Sequence, residues 1–216
     1  MEDRSFRLGD RGRYPASLMK RKRRVREGNF EPHPADREGV SLLRGTRAYF
    51  TLNPKGLIWD ILAGPTFGDQ HVSVLEKFPN LISFTKGTTF RAEENLTDLG
   101  LKRIVGIPNI SVLMLTNLPN ITDSVTPDLA SSQIRWLSLN CLAITDSGIP
   151  AISTMTGLLK LCLYKSSITD VSLQKLRRLV NLRRLNLHGC NVSDAAVDVL
   201  KRQLPRCDIV SDRAAG

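Results

Sequence analysis

Cysteine, histidine and aromatic residues are scarce in this chain, and each shortage excludes a class of protein. The 216 residues include four cysteines and three histidines, and 6% of them are aromatic. No two cysteines form a CxxC pair, and the three histidines lie far apart and near no cluster of cysteines, so we expect neither a disulfide scaffold nor a metal site. No apolar run reaches the roughly 18 residues that a membrane-spanning helix needs. The sequence therefore predicts a protein of a reducing, intracellular compartment without a cofactor.

Acidic residues are missing from residues 11–26, which form the most basic stretch of a chain with a net charge of +10. The basic residues there are Arg11, Arg13, Lys20, Arg21, Lys22, Arg23, Arg24 and Arg26. We call residues 20–26 the basic run. RNA phosphates are the partner that we predict for it, since each neutralised phosphate adds affinity. A nuclear import signal and a solvated run of charge are the alternatives.

A repeat is the strongest pattern that is present. Four segments of the form LxxLxL start at Ile110, Ile134, Leu158 and Leu182, each 24 residues after the last. Each is followed by an apolar residue, a Thr or Ser, and an Asp: Ile121-Thr122-Asp123, Ile144-Thr145-Asp146, Ile168-Thr169-Asp170 and Val192-Ser193-Asp194. Weaker copies start at Leu81 and Leu57, and residues 205–209 read as a truncated closing strand. The LxL alternation predicts a short strand, and the hydroxyl before each Asp predicts a helix N-cap.

This pattern resembles the leucine-rich-repeat family, and within it the cysteine-containing class with the phrase ITDxGL. The closest matches are Ile144-Thr145-Asp146-Ser147-Gly148-Ile149 and Leu96-Thr97-Asp98-Leu99-Gly100-Leu101. Where the class carries Cys or Asn, this chain has Leu118, Leu142, Ser166 and Cys190. The resemblance implies an α/β solenoid, with a parallel sheet on the concave face and helices on the convex face. It leaves the function open, since the family binds many partners.

The organisation that we predict has three parts. Residues 1–56 form a basic, largely irregular N-terminal extension, residues 57–210 form the solenoid, and residues 211–216 form a short tail. The extension is rich in Arg, Gly and Pro and has little hydrophobic periodicity.

The residues between the leucines of each strand are expected to face the concave side. One column is Trp136, Lys160 and Arg184, and a second contains Asn140, Tyr164 and His188. Aromatic and cationic side chains on an open sheet suit an acidic peptide or exposed nucleotides, while ordinary solvated polar residues are the alternative. Cys162 is also expected to be accessible on this face. No nucleophile, acid–base pair or phosphate loop is present, so no catalysis is expected.

Three functions fit these features. The first is a peripheral subunit of a large ribonucleoprotein, a ribosome and perhaps a mitochondrial one, with the extension on RNA and the solenoid on other proteins. The second is a factor for a mitochondrial respiratory complex, because the repeats are similar to those of the coupling-factor subunit s of ATP synthase. The third is a substrate-recognition adaptor of a ubiquitin ligase, although residues 1–56 lack an apolar helical box. A nuclear or cytoplasmic location is the alternative to a mitochondrial one.

Overall fold

The nine strands of the described residues lie in one sheet, in the order in which they follow along the sequence. The computed structural model describes residues 23–26, 28–87, 96–141 and 143–212. The strands are β1 (Arg23–Arg26), β2 (Tyr49–Leu52), β3 (Ile58–Ala63), β4 (Ser83–Gly87), β5 (Val112–Thr116), β6 (Trp136–Asn140), β7 (Lys160–Cys162), β8 (Arg184–Asn186) and β9 (Asp208–Val210). β3 to β9 pair in parallel, and β1 and β2 pair antiparallel at one end. The predicted solenoid is therefore confirmed.

Short helices and 3₁₀ segments connect successive strands. They lie on the face of the sheet that is opposite to the concave face. The α-helices are α1 (Arg37–Leu42), α2 (Asp98–Val105), α3 (Thr126–Ala130), α4 (Ile149–Ile152), α5 (Asp170–Leu176) and α6 (Asp194–Gln203). Single 3₁₀ segments cover Pro34–Asp36, Asp69–Lys77 and Asp123–Val125. The predicted N-caps are present, because the side chains of Thr97, Thr122, Thr169 and Ser193 accept hydrogen bonds from backbone N–H groups of the helices that follow. A proline near the start of α3 and of α4 supplies the helical φ without losing a helical hydrogen bond.

The core lies between the sheet and these helices. One row of inward side chains crosses the sheet from Ile61 through Leu113 and Leu161 to Ile209, in register from strand to strand. Ile61, Leu113 and Leu161 have no exposed surface. A single repeat has no second face to cover its leucines, so this core exists only because neighbouring repeats stack.

The register of two repeats differs from the sequence alignment. Asp60 pairs with Ser83, so the first repeat begins at Ile58 and the predicted start at Leu57 was wrong by one residue. In the turn after β6, the N–H of Ile144 donates to the carbonyl of Cys141 at 3.1 Å, as Ile121 donates to Leu118 in the preceding repeat. The structural equivalent of Leu118 is therefore Cys141, while Leu142 lies outside the described residues. Cys141 is 1% exposed.

The Cys or Asn position of the later repeats ties each turn to the previous repeat. The Ser166 hydroxyl donates to the carbonyl of Leu139 at 2.8 Å, and the Cys190 thiol donates to the carbonyl of Leu163 at 2.9 Å. A small side chain that carries a donor therefore satisfies a buried backbone acceptor at this position.

An inward leucine position in β4 is taken by a lysine. Lys86 stands in register with Ala63 on one side and Leu115 on the other, and it has no exposed surface. Its ammonium donates to the carbonyl of Gly64 at 2.8 Å and of Pro65 at 3.0 Å. Burial lowers the pKa of Lys86 to about 8. The small side chain of Ala63 leaves the space through which the ammonium reaches these carbonyls.

The sheet continues across the boundary that the sequence places at residues 56 and 57. β1 and β2 form an antiparallel hairpin that extends the sheet beyond β3, and Val25 and Phe50 point into the core. The 23–52 portion of the extension is therefore more regular than its composition predicts. The reason is that a single valine between arginines is enough to direct β1 onto the core, and hydropathy averaging over an arginine-rich stretch hides such a residue.

A ladder of aspartates links successive repeats along one edge of the solenoid. In five successive repeats, an Asp accepts two hydrogen bonds from the Thr or Ser one repeat later. The rungs are Thr97 on Asp69, Thr122 on Asp98, Thr145 on Asp123, Thr169 on Asp146 and Ser193 on Asp170. In the middle rung the N–H and hydroxyl of Thr145 lie 2.9 and 2.5 Å from the two carboxylate oxygens of Asp123. Each hydroxyl thus joins two repeats, and four of the five also cap the helix that follows. The Thr145 hydroxyl instead accepts from the N–H of Ser147 in the turn before α4, which has no side-chain cap.

Candidate functional site

The concave face is organised as rows that run across the strands. The register places Trp136, Lys160 and Arg184 side by side, as the repeat predicts, and extends the row to Asp208. In the other direction the same row passes Val112 and continues to the hairpin. Neighbouring side chains in such a row are one strand spacing apart, about 4.8 Å, and contact one another directly.

Trp136 is not the exposed aromatic residue that the sequence predicts. Its exposed fraction is 4%, and that of Lys160 is 9%. The Lys160 ammonium lies 4.2 Å from the centroid of the indole ring, so the lysine covers the tryptophan from the next strand. Such a cation–π contact contributes about 0.5 to 2 kcal/mol, depending on how far the pair is desolvated. The pair is therefore a structural element of the sheet surface.

Arginine and aspartate pair at both ends of this row. Arg184 lies 3.9 Å from Asp208, and its side chain is 22% exposed. At the other end Arg24 lies 4.0 Å from Asp60, which also accepts a hydrogen bond from Thr51 at 2.9 Å. The surface charge of the row is therefore largely balanced within the fold.

The centre of the concave face is closed by a small polar network. Cys162 is 2% exposed, so the prediction that its thiol is accessible was wrong. The thiol donates to the side-chain oxygen of Asn140 at 3.2 Å, and Ser138 donates to the same oxygen at 3.2 Å. The Asn140 amide in turn donates to Thr116 at 3.4 Å. Asn140 is half-buried and holds three strands together at this point.

Tyr164 and His188 follow the ends of β7 and β8 and are half-buried. The Nδ1 atom of His188 lies 2.6 Å from a carboxylate oxygen of Asp212, whose other oxygen accepts from the N–H of Gly189 at 2.6 Å. The histidine contact and this N–H lower the pKa of Asp212. The Lys165 ammonium lies 5.3 Å from the Tyr164 ring.

An exposed part of the concave face that the sequence did not predict lies at the hairpin end. A second row runs from Arg26 on β1 through Tyr49 and Leu62 to Met114. Tyr49 is 37% exposed, while Leu62 and Met114 are half-buried. The guanidinium of Arg26 lies 5.9 Å from the ring of Tyr49. The signal that could have indicated this row is the alternation of Tyr, Phe, Thr and Leu in β2.

The structure describes only the end of the basic run. Arg23, Arg24 and Arg26 belong to β1, and the Arg24 and Arg26 side chains are exposed on the concave side of the sheet. The predicted contacts Arg11, Arg13, Lys20, Arg21 and Lys22 lie outside the described residues. Val25, between the two exposed arginines, is 7% exposed and belongs to the core.

The described residues contain no group of three His, Cys, Asp or Glu side chains that is placed to hold a metal ion. Burial raises the pKa of the Cys141 and Cys190 thiols to about 11 and that of Cys207 to about 12. These thiols are therefore protonated at neutral pH and are poor nucleophiles. The concave face itself presents hydrogen-bond donors beside apolar surface.

No protein-family model matches the chain, and a search of curated proteins also gave no match. Among solved structures, an internalin from Listeria monocytogenes is similar over 67% of this chain and 44% of its own, with 20% identity and a TM-score of 0.45. A leucine-rich-repeat protein from Leptospira interrogans is similar over 63% of this chain and 44% of its own, with 17% identity and a TM-score of 0.36. The chain thus spans less than half the length of either protein. The likeness concerns the leucine-rich-repeat fold alone.

Within the described part of the chain, no helix combines the length and apolar character that crossing a bilayer requires.

Proposed function

We propose that this protein is a non-catalytic scaffold of a large ribonucleoprotein, with the basic run on RNA and the concave face on a neighbouring protein. A ribosome, in mitochondria, is the particle that we favour. The observation that carries the proposal is the end of the basic run, which is a strand of the solenoid sheet. An RNA strand held there would be fixed in position relative to the concave face.

The alternation in β1 supports this role. Val25 is held in the core, so Arg24 and Arg26 project from the opposite side of the strand. The Arg24 side chain remains 50% exposed beside Asp60, and therefore retains donors for a phosphate. A cationic site on an ordered strand loses less conformational entropy on binding than one on a free chain.

The concave face supports the second half of the proposal. Its half-exposed residues combine amide, imidazole and guanidinium donors at Asn140, His188 and Arg184 with the apolar surface of Tyr49 and Met114. Aromatic, methionine and arginine side chains are enriched in protein interfaces.

The test is sedimentation of the tagged full-length protein from its own cells, with and without RNase. We expect a ribosome-sized particle that collapses with RNase, and loss of the protein from that particle in the variant Arg21→Glu/Arg23→Glu. The matched control is Arg44→Glu/Lys55→Glu, which reverses two exposed charges elsewhere in the chain. A smaller complex that resists RNase would reject the ribonucleoprotein and favour a respiratory-complex factor or a ligase adaptor.

A further inference from the structure

The solenoid separates its charges onto two opposite edges. Every helix of the repeats starts at the edge where the aspartate ladder runs, and ends at the other edge, where the next strand begins. Between Asp170 and Asp194 the sequence contains no acidic residue, yet it contains five basic ones. Three of these five, Arg177, Arg178 and Arg183, lie in the turn between α5 and β8, and Arg202 and Arg206 lie at the end of α6 and in the turn after it, one repeat later.

Five arginines define this surface, which we call the basic edge: Arg177, Arg178, Arg183, Arg202 and Arg206. All five are exposed, and none of them forms an ion pair with another described residue. By contrast, the neighbouring Lys201 lies 4.0 Å from Asp198.

The fold brings the five side chains together from two successive turns. Arg177 and Arg178 directly follow α5, and Arg183 precedes β8. One repeat later, Arg202 lies in the last turn of α6 and Arg206 precedes β9. The two turns are adjacent, because the N–H of Asp208 donates to the carbonyl of Arg183 at 2.9 Å. The negative end of a helix dipole explains cations at helix ends, but it does not explain Arg183 and Arg206, which follow the turn.

An open apolar groove lies between the same two turns. It has a volume of about 250 Å³. Its lining is Val180, Leu182, Gln203, Leu204, Pro205, Arg206 and Cys207. Val180 is 65% exposed and Pro205 is also exposed, whereas Leu182 and Leu204 are buried. The groove has room for one or two aliphatic side chains, and Arg206 is part of its lining.

We infer that the basic edge is a second binding site, which takes an acidic segment of a partner protein with an aliphatic side chain in the groove. Guanidinium groups bind carboxylates through two parallel hydrogen bonds, and an ordered arginine pair selects for closely spaced Asp or Glu. Single-stranded RNA is the less favoured occupant, because its bases are held by aromatic platforms and no aromatic residue lines the groove.

The test is fluorescence anisotropy of the full-length protein with a short labelled peptide of glutamates around one central leucine, at physiological ionic strength. We expect Arg178→Ala/Arg206→Ala to weaken binding by roughly tenfold, the sum of two modest charge contacts. The matched control Arg44→Ala/Lys55→Ala removes two exposed charges from the other end of the molecule. Equal weakening in both variants would mean that only the net charge of the protein matters, and would overturn the site.

The groove has a test of its own. Val180→Ser should weaken the binding of the leucine-containing peptide and leave the binding of an all-glutamate peptide unchanged. Val171→Ser, an equally exposed valine at the opposite edge of the same repeat, should change neither. An oligouridylate that binds more tightly than both peptides, and loses affinity in Arg178→Ala/Arg206→Ala, would reject the acidic segment in favour of RNA. Arg21→Glu/Arg23→Glu should leave peptide binding intact, so a failure of this site is distinguishable from a failure of the RNA contact.

Discussion

At the residue scale, Lys86 shows how one polar side chain can occupy a leucine position. A buried ammonium without a counter-ion loses its hydration, and two backbone carbonyls replace only part of it. The same two bonds fix the turn that follows β3. Lys86 therefore holds the turn after β3 in one conformation, and the burial of its charge lowers the free energy of unfolding.

The charge of Lys86 predicts a pH dependence of stability. Its pKa is about 8 in the fold against 10.5 for the free side chain, so the unfolded chain binds more protons between these values. The free energy of unfolding should therefore rise from pH 8 to pH 10.5 relative to that of Lys86→Met, which has nothing to titrate there. Urea unfolding across this range measures the difference. Parallel curves for the two proteins would contradict it, and Lys55→Met, at an exposed position, should give a curve parallel to the wild type.

The residue scale also shows where the sequence misleads. Trp136 and Lys160 were correctly placed in one row, because the 24-residue period fixes which residues face each other. Their exposure was not predictable, since it depends on the side chain that the next strand folds over the ring. The same limit applies to Cys162, whose burial follows from the Asn140 network.

At the scale of one repeat, the aspartate ladder is the main polar link between neighbours. The sequence predicts the hydroxyl of each pair as a helix cap, and the structure confirms it for Thr122, Thr169 and Ser193 but not for Thr145. The role of the aspartate was not predicted, because its donors lie one whole repeat away in the sequence. The pKa of Asp146 is lowered, because the hydrogen bonds from Ser172 and Thr169 outweigh the effect of burial.

The ladder predicts unequal effects for two equivalent substitutions. Asp170 and Asp194 both begin a helix, but only Asp170 receives a rung, from Ser193. We expect Asp170→Ala to lower the free energy of unfolding by about 2 kcal/mol, the sum of a charged hydrogen-bond pair and a dipole contact. Asp194→Ala should lower it by less than about 1 kcal/mol. Chemical denaturation of both variants compares them, and equal losses would mean that the rungs add nothing.

At the scale of the whole molecule, the hairpin of β1 and β2 covers the N-terminal end of the core. The Phe50 ring packs against Phe30 and Phe78, with centroid distances of 5.8 and 6.1 Å. Sequence periodicity located the solenoid but not this cover, since a cover departs from the repeat by necessity. Arginine-rich composition suggested an extension separate from the sheet, whereas burial of Val25 joins the two.

The hairpin predicts a loss of stability that affects the entire solenoid. Phe50→Ala removes a fully buried ring and should lower the free energy of unfolding by about 3 to 5 kcal/mol. Leu42→Ala, at a position that is 52% exposed, should cost less than about 1 kcal/mol. Thermal melts followed by circular dichroism distinguish the two. A small loss in Phe50→Ala would mean that the repeats hold together without the hairpin.

The order of the strands also gives the molecule a fixed length. β1 carries the end of the basic run, and β9 borders the basic edge, with seven strands between them. Eight spacings of about 4.8 Å separate these two strands by roughly 38 Å along the sheet. An assembly that engages both ends must therefore present its anionic surfaces at about that distance from each other. Insertion of one additional 24-residue repeat would increase this distance by one strand spacing without changing either end.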